Sequence, residues 1–281
     1  MLVRDSVRQP IGGTAPGERN TFVQTGTGIY IQNSAGIVLA GNQIGTDSSS
    51  RRYLGNTAAG LVLNACRDCV IGPANLVLGN GDDYDPLLPG SAGIAVFGGE
   101  SNRVIGNFVG SNPDGSETVA NRFGIVLVDT LRTEVGGVAL ADANRVVASD
   151  GSGIVLRGED CALNRVGGNI VGFLPDPAFG PLGIPVPNAM AGILLTDGAS
   201  DNQIGLARPA SGGGLVPAGN RIFHNGGAGI RVEGGGTLRN RLHFNAISSN
   251  GGAGIETAAG GNRELTPPEI IRFANGRVWG R

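Results

Sequence analysis

The chain has 281 residues, of which 51 are Gly and 15 are Pro, and its formal net charge at pH 7 is -2. Gly does not occupy every third position and Pro is not enriched, so a collagen-like triple helix is excluded, and the 40% hydrophobic content excludes a disordered chain. The charge lacks the basic excess typical of nucleic-acid binding, and no run of about 18 apolar residues is present. We therefore expect neither nucleic-acid binding nor membrane insertion.

A four-residue repeat runs along the chain. Gly is followed by an aliphatic residue, then by any residue, and usually by a second aliphatic residue. Eight copies occur, at 28–31, 60–63, 93–96, 124–127, 153–156, 192–195, 229–232 and 254–257. A further match at 36–39 follows the first copy so closely that we expect one of these two to be a neighbouring strand of the same coil.

A second signature, Asn followed by any residue and an aliphatic one, recurs between these copies. It begins at Asn42, Asn102, Asn144, Asn202, Asn220 and Asn240. Each unit of about 25 residues therefore holds about three short strands, and no stretch shows helical spacing of apolar residues. This pattern predicts an all-β fold, a right-handed parallel β-helix (solenoid) of about eight to nine coils with three short strands per coil. We expect the insertions between repeats to lie at one place in the coil. The alternative fold is a β-sandwich, but a β-sandwich would show hairpins and even alternation of polar and apolar residues.

The repeat also predicts which side chains stack. The first and third residues after each Gly should point to the axis, so Ile94, Ile125 and Ile154 should form one column through successive coils. Asn suits the corners because it tolerates the left-handed conformation and its amide can bond to the backbone. Asn residues stacked in successive coils can also pair with one another.

The second residue after each Gly should point away from the axis. In chain order these residues are Tyr30, Val62, Ala95, Val126, Val155, Leu194, Arg231 and Glu256. We call the five consecutive apolar members, Val62 to Leu194, the outer column. Because an apolar stripe of this length should not face water, we expect a long insertion or another chain to cover it, and self-association through it is one possibility.

Two segments in the first third of the chain resemble a known family. Residues 11–20 and 41–47, followed by Gly55-Asn56 and Gly60-Leu61, resemble the parallel β-helix repeats of large bacterial surface and secreted proteins. Those repeats belong to the pectate-lyase-like superfamily, and the resemblance covers about residues 5–262. It implies the β-helix fold but no single activity, because the superfamily includes lyases, hydrolases, epimerases and non-catalytic stalks.

The repeat pattern stops near Pro267-Pro268. We predict a parallel β-helix over 1–265, and over 266–281 a Pro-rich joint and the start of a following β module or a C-terminal extension. Residues 269–273 and 275–278 read as a hairpin. In the similar proteins such a joint leads into a further module, so we expect the chain to be a segment of a longer extracellular or cell-surface protein, with flanking modules as partners.

Acidic residues are the first candidates for a site, because β-helix proteins that act on acidic polysaccharides place Asp or Glu on one outer face and often bind calcium there. If the insertions share one corner, they bring together Asp47, Asp82, Asp83, Asp85, Asp114, Asp150 and Asp176. We select Asp47, Asp83, Asp85 and Asp114 as the candidate glycan or calcium edge. The alternative is that these Asp residues only form turns, for which they are well suited.

The cysteines and histidines do not suggest a metal site. Cys66 and Cys69 have no second pair that would complete a zinc site, and with Cys161 we expect them to fill space in strands. His224 and His243 are the only histidines, and their spacing does not suggest a shared metal. No cofactor is therefore predicted, although calcium stays open.

The sequence favours a non-catalytic structural or adhesive β-helix segment outside the cell. The competing function is a carbohydrate-active enzyme, a polysaccharide lyase, hydrolase or epimerase, that uses carboxylates on the loop edge. A self-assembling fibre or tail-spike subunit is a third candidate. An enzyme should show two or three carboxylates within about 5 to 9 Å in a groove, whereas a spacer should show them dispersed at turns, and no catalytic residue can be assigned from the sequence.

Overall fold

The computed structural model describes residues 1–47, 49, 53–81, 91–209, 214–263, 270–274 and 277–280. In these residues the chain forms a right-handed parallel β-helix, as predicted. Each coil contributes one short strand to each of three parallel sheets, which we number 1, 2 and 3 in the order in which the chain visits them. No helix in the described part of the chain has the length and hydropathy needed to cross a membrane.

The three sheets contain nine, eight and eight strands, which agrees with the expected eight to nine coils. Sheet 1 consists of β1 (Leu2–Arg4), β4 (Thr27–Gln32), β7 (Ala59–Asn64), β10 (Ile94–Phe97), β13 (Ile125–Val128), β16 (Ile154–Arg157), β21 (Ile193–Thr196), β26 (Ile230–Glu233) and β29 (Ile255–Ala258). Sheet 2 consists of β2 (Pro10–Gly12), β5 (Val38–Ala40), β8 (Val70–Ile71), β11 (Arg103–Val104), β14 (Glu134–Gly136), β17 (Arg165–Gly167), β22 (Gln203–Ile204) and β27 (Arg241–Leu242). Sheet 3 consists of β3 (Thr21–Phe22), β6 (Gln43–Ile44), β9 (Leu76–Val77), β12 (Phe108–Val109), β15 (Arg145–Val146), β18 (Ile170–Val171), β25 (Arg221–Phe223) and β28 (Ala246–Ser248).

The remaining elements lie outside the three sheets. Three antiparallel pairs are formed by β19 (Phe173–Leu174) with β20 (Ile184–Pro185), β23 (Leu206–Pro209) with β24 (Leu215–Ala218), and β30 (Ile270–Ala274) with β31 (Arg277–Gly280). Short 3-10 helices occupy Leu140–Asp142, Pro177–Leu182 and Gly261–Arg263. The pair of β30 and β31 is the hairpin expected from the sequence, shifted by one or two residues, whereas the division of the chain at 265 stays a prediction.

The core is a set of aliphatic columns along the axis. Ile94, Ile125 and Ile154 are partners in the parallel register and are all fully buried, which confirms the predicted column. Parallel strands place identical positions directly above one another, so a similar aliphatic residue is required in each coil. The repeat in the sequence reflects this stacking.

Stacked Asn residues form hydrogen-bonded ladders at the corners, as the sequence analysis expected. In the corner between sheets 2 and 3, the Nδ2 group of each Asn donates to the Oδ1 atom of the Asn in the following coil, at 2.8 to 3.1 Å. This ladder contains Asn20, Asn42, Asn75, Asn107, Asn144, Asn169, Asn220 and Asn245. Asn75 shows the full pattern, because its Nδ2 also donates to the carbonyl of Leu39 in the preceding coil (2.8 Å). The ladder thus satisfies buried polar groups at the bends.

A second ladder in the corner between sheets 3 and 1 is interrupted. It contains Asn56, Asn80, Asn121, Asn188, Asn225 and Asn250. Between Asn121 and Asn188 the corresponding residue is Ser149, whose backbone N–H still donates to Asn188 Oδ1 (3.0 Å). The Ser149 hydroxyl is buried and has no hydrogen-bond partner among the described residues.

Two expectations about position in the coil are wrong. The insertions occur at two corners, because β23 and β24 extend the corner between sheets 2 and 3, whereas β19 and β20 lie between sheets 3 and 1. The cysteines do not fill strands. Cys66, Cys69 and Cys161 lie in the corner between sheets 1 and 2, where all three are fully buried.

Candidate functional site

The corner between sheets 3 and 1 brings the insertions of several coils to one side of the β-helix. Asp47 follows β6, Asp114 follows β12, Asp150 follows β15 and Asp176 follows β19. These four residues therefore lie along one edge, which we call the insertion edge. Asp82, Asp83 and Asp85 lie outside the described residues.

Three carboxylates of the insertion edge cap their own turns. Asp47 Oδ1 accepts hydrogen bonds from the backbone N–H (3.1 Å) and the hydroxyl (2.7 Å) of Ser49. Asp114 Oδ1 accepts the same two bonds from Ser116, at 3.0 and 2.8 Å, and these bonds hold the pKa of Asp114 below its usual value. Asp176 accepts from the backbone N–H two residues later (2.7 Å). Each of these Asp residues thus has a local structural partner, as in an Asx-turn.

Two arginines attach the insertions to the coil that follows. Arg145 lies in β15 next to Phe108 of β12, with its guanidinium 5.1 Å from the ring centroid. Its Nη1 donates to the backbone carbonyls of Asn112 (3.3 Å) and Pro113 (2.9 Å). The planar guanidinium can stack on a ring and bond to carbonyls at the same time, which an ammonium group does less well.

Arg221 repeats this arrangement farther along the β-helix. It lies in β25, its guanidinium is 4.7 Å from the ring centroid of Phe173, and it donates to the carbonyl of Pro181. Sequence analysis missed both arginines. Each arginine directly follows a corner Asn, in the coil after one that carries an insertion. This pattern is visible in the sequence, but the contact with the insertion can be recognised only when the path of the insertion is known.

The insertions also contact one another. The Tyr53 hydroxyl, at the end of the insertion after β6, donates to the carboxylate of Glu117 in the insertion after β12. This hydrogen bond, together with loss of hydration and the negative charge, raises the pKa of Tyr53 to about 12. Farther along, a Cβ atom added to Gly115 would lie 2.8 Å from the Leu174 side chain, so these two insertions are also in close contact. The insertion edge is therefore a connected surface.

The outer column is buried within the single chain. Val62, Ala95, Val126 and Val155 are at most 5% exposed, and only Leu194 is half-buried. These residues pack with others of the same face, including Ala59, Ala92 and the rings of Phe97 and Phe123. Whether another chain packs there stays a prediction.

A groove begins where the outer column ends. The register of sheet 1 places Arg231 beside Leu194 and Glu256 beside Arg231. The groove has a volume of about 440 Å³ and is also lined by Met190 and Glu233. Arg231 forms ion pairs with Glu233 (2.7 Å) and Glu256 (3.1 Å), and these contacts raise the pKa of the Arg231 guanidinium. Sequence analysis noticed the charged positions but not this convergence, because Glu233 lies two residues farther along the same strand.

The two histidines have separate surroundings. His243 Nε2 is 3.0 Å from Gln203 Nε2, and its ring packs on Phe244 with centroids 4.8 Å apart. His224 Nε2 is buried without a hydrogen-bond partner among the described residues. Over the same residues, no group of three or more His, Cys, Asp or Glu side chains is arranged to hold a metal ion.

No protein-family model matches the chain, and no curated protein sequence matches it. Among solved structures, the chain is similar to the Dettilon tailspike protein, with a TM-score of 0.43 and 18% sequence identity. The similarity covers 91% of this chain and 47% of that protein, so the chain spans about half the length of the tailspike protein.

Proposed function

We propose that the chain is a non-catalytic structural or adhesive segment of a larger extracellular or cell-surface protein. In this function the β-helix is a stiff spacer, and the insertion edge is the surface that it displays. The resemblance of residues 11–20 and 41–47 to repeats of bacterial surface and secreted proteins supports the location.

One observation carries the non-catalytic function. The described carboxylates of the insertion edge are spread over different coils, and Asp47, Asp114 and Asp176 each bond within their own turn. A glycosidase instead needs two carboxyl groups that face one substrate, and a lyase needs a free base beside it. Carboxylates that cap turns are poorly placed for both roles.

The test is an activity screen on the purified chain. Acidic and neutral polysaccharides are incubated with the protein, with calcium and with a chelator, and the release of reducing ends and of unsaturated uronates is measured. We expect no turnover with any substrate. Turnover that is lost in an Asp114→Asn or Asp47→Asn variant, while the circular dichroism spectrum is unchanged, would overturn the proposal.

A carbohydrate-active enzyme is the second candidate, and the groove at the end of the outer column favours it. Glu233 and Glu256 converge there on one guanidinium, that of Arg231. The same screen distinguishes this candidate, because its turnover should be lost in Glu233→Gln and Glu256→Gln and retained in Asp114→Asn.

Self-association through the outer column is tested separately by light scattering, with and without a chelator. A molar mass that is a multiple of 28.4 kDa would favour a fibre or tail-spike subunit. A monomer would favour a segment whose partners are flanking modules of the same chain.

A further inference from the structure

The corner between sheets 1 and 2 has two positions, three residues apart, at which side chains are buried in most coils. Between β7 and β8 both of these side chains are thiols, those of Cys66 and Cys69, and both are fully buried. The isolated bridges at this corner pair Arg67 with Ala35 in the preceding coil and with Glu100 in the following coil. The backbone between the two cysteines is therefore fixed by its neighbours.

The two positions are close enough for their side chains to touch. In the coil that contains Cys161, the corresponding pair is Cys161 and Asn164, and Asn164 Nδ2 lies 3.4 Å from Cys161 Sγ. Cys66 and Cys69 occupy the same two positions in their own coil, and both Sγ atoms lie against carbonyls of the preceding coil, those of Ile31 (3.5 Å) and Ser34 (3.8 Å). The neighbouring Cys69 thiol lowers the pKa of Cys66, whereas the Cys66 thiol and burial raise the pKa of Cys69.

A third, incomplete Asn ladder runs along this corner, at the position that Cys69 occupies in its coil. Farther along this corner, the same position holds Asn164, Asn202 and Asn240, whose amides bond from coil to coil. Cys69 keeps only the backbone part of the pattern, in which its N–H donates to Asn102 Oδ1 (3.0 Å). A covalent bond within the coil would stabilise a corner that has no ladder amide of its own.

We propose that Cys66 and Cys69 form a disulfide bond when the chain folds in an oxidising compartment. The compartment follows from the proposed extracellular function, whereas the bond itself follows from the geometry of this corner. Disulfides form and persist in extracellular proteins, and the thiolate is the attacking species.

The oxidant is a small-molecule disulfide such as oxidised glutathione. The Cys66 thiolate attacks one sulfur of the oxidant, and one glutathione thiolate leaves, which produces a mixed disulfide at Cys66. The Cys69 thiolate then attacks Cys66 Sγ and displaces the second glutathione. The protein loses two hydrogen atoms and one glutathione disulfide is reduced to two thiols. Because both thiols are fully buried in the finished coil, the reaction takes place before this coil is closed or during its transient opening.

The test uses the full chain with Cys161→Ser, so that only the two thiols remain. The protein is refolded with reduced and oxidised glutathione, quenched in acid, unfolded and alkylated, and its mass is measured. We expect a chain that has lost two hydrogen atoms and carries no alkyl group, and that accepts two alkyl groups after reduction. Peptide mapping should join residues 66 and 69.

The matched control adds Cys66→Ser to the same background, and Cys69 should then be alkylated or carry glutathione. If Cys161→Ser does not fold, the wild-type chain serves, and Cys161 should be its one alkylated thiol. Two alkylated thiols in the Cys161→Ser protein, or a stable glutathione adduct, would overturn the proposal. Since the oxidant is supplied in vitro, such a failure would count against the geometry and not against the extracellular location.

Discussion

The hydroxyl of Tyr53 donates a hydrogen bond to the carboxylate of Glu117, although the two residues are 64 positions apart in the sequence. Tyr53 ends the insertion that follows β6, and Glu117 belongs to the insertion that follows β12, two coils farther along. The bond therefore joins two insertions that have no backbone contact in a shared sheet, and it gives the insertion edge a side-chain connection parallel to the axis.

This hydrogen bond predicts a pH dependence. The pKa of Tyr53 is raised to about 12 from the ordinary 10.0, so the protonated phenol favours the folded state. The contribution should be complete below pH 10 and should disappear as the pH rises to about 12, and it should be small because Tyr53 is 37% exposed. The difference between the ultraviolet titrations of the wild type and Tyr53→Phe should show a phenol with a midpoint near 12.

Glu117→Gln is the matched variant for that titration. Its amide keeps the size of the side chain but removes the charge, so the midpoint of Tyr53 should move back toward 10. An unchanged midpoint in this variant would contradict the assignment of the raised pKa to Glu117.

Ser149→Asn should stabilise the β-helix. Its Oδ1 would accept from Asn121 Nδ2 and its Nδ2 would donate to Asn188 Oδ1, which would complete the ladder between sheets 3 and 1. We expect the free energy of unfolding in urea to rise by about 1 kcal/mol, the typical net value of a buried hydrogen bond. Asp150→Asn adds an amide at an exposed neighbouring position and should change stability by no more than about 0.5 kcal/mol. Equal effects of the two substitutions would argue against ladder completion.

Arg145→Gln should loosen the insertion after β12. The variant loses the hydrogen bonds to the carbonyls of Asn112 and Pro113 and the stacking on Phe108. A local loss of about 1 to 2 kcal/mol should accelerate amide hydrogen exchange in 112–117 by roughly 5- to 30-fold. Arg165→Gln, on the exposed outer face of sheet 2, is the control and should leave this exchange unchanged. Similar exchange in both variants would show that Arg145 does not hold the insertion.

Ile125→Ala tests the stacked core column. Ile125 is fully buried between Ile94 and Ile154, so truncation should leave a cavity and cost about 2 to 5 kcal/mol of unfolding free energy. Leu140→Ala is the comparison, because Leu140 is 97% exposed and should cost no more than about 0.5 kcal/mol. A small loss for Ile125→Ala would mean that the coils can collapse around the missing atoms.

The fold could be predicted from the sequence because stacking repeats the same requirement in every coil. The Gly–aliphatic pattern reports the inward positions, and the parallel register of Ile94, Ile125 and Ile154 is its direct result. Asn was predicted at the corners for the same reason. Because every coil imposes the same pattern of residues, one sequence contains several copies of that pattern, and each copy supports the same prediction.

The candidate site was harder to predict because insertions are not periodic. The common edge of Asp47 and Asp114 followed from their place in the coil, but the capping of their own turns depends on Ser49 and Ser116, which no repeat marks. The contact between Tyr53 and Glu117 depends on the path of two separate loops. The second insertion corner was missed because the length between repeats does not reveal where in the coil the extra residues lie.

The ladders have a direction along the axis. In each one, an Asn that is already in place offers its Nδ2 to the next coil, and the arriving Asn supplies an Oδ1 acceptor. During synthesis the ribosome delivers the coils in this same order, so each finished coil is a template with donors pointing toward the residues that emerge next. Assembly can therefore proceed vectorially from the amino terminus, one coil at a time, and it does not require that distant parts of the polypeptide have already been synthesised.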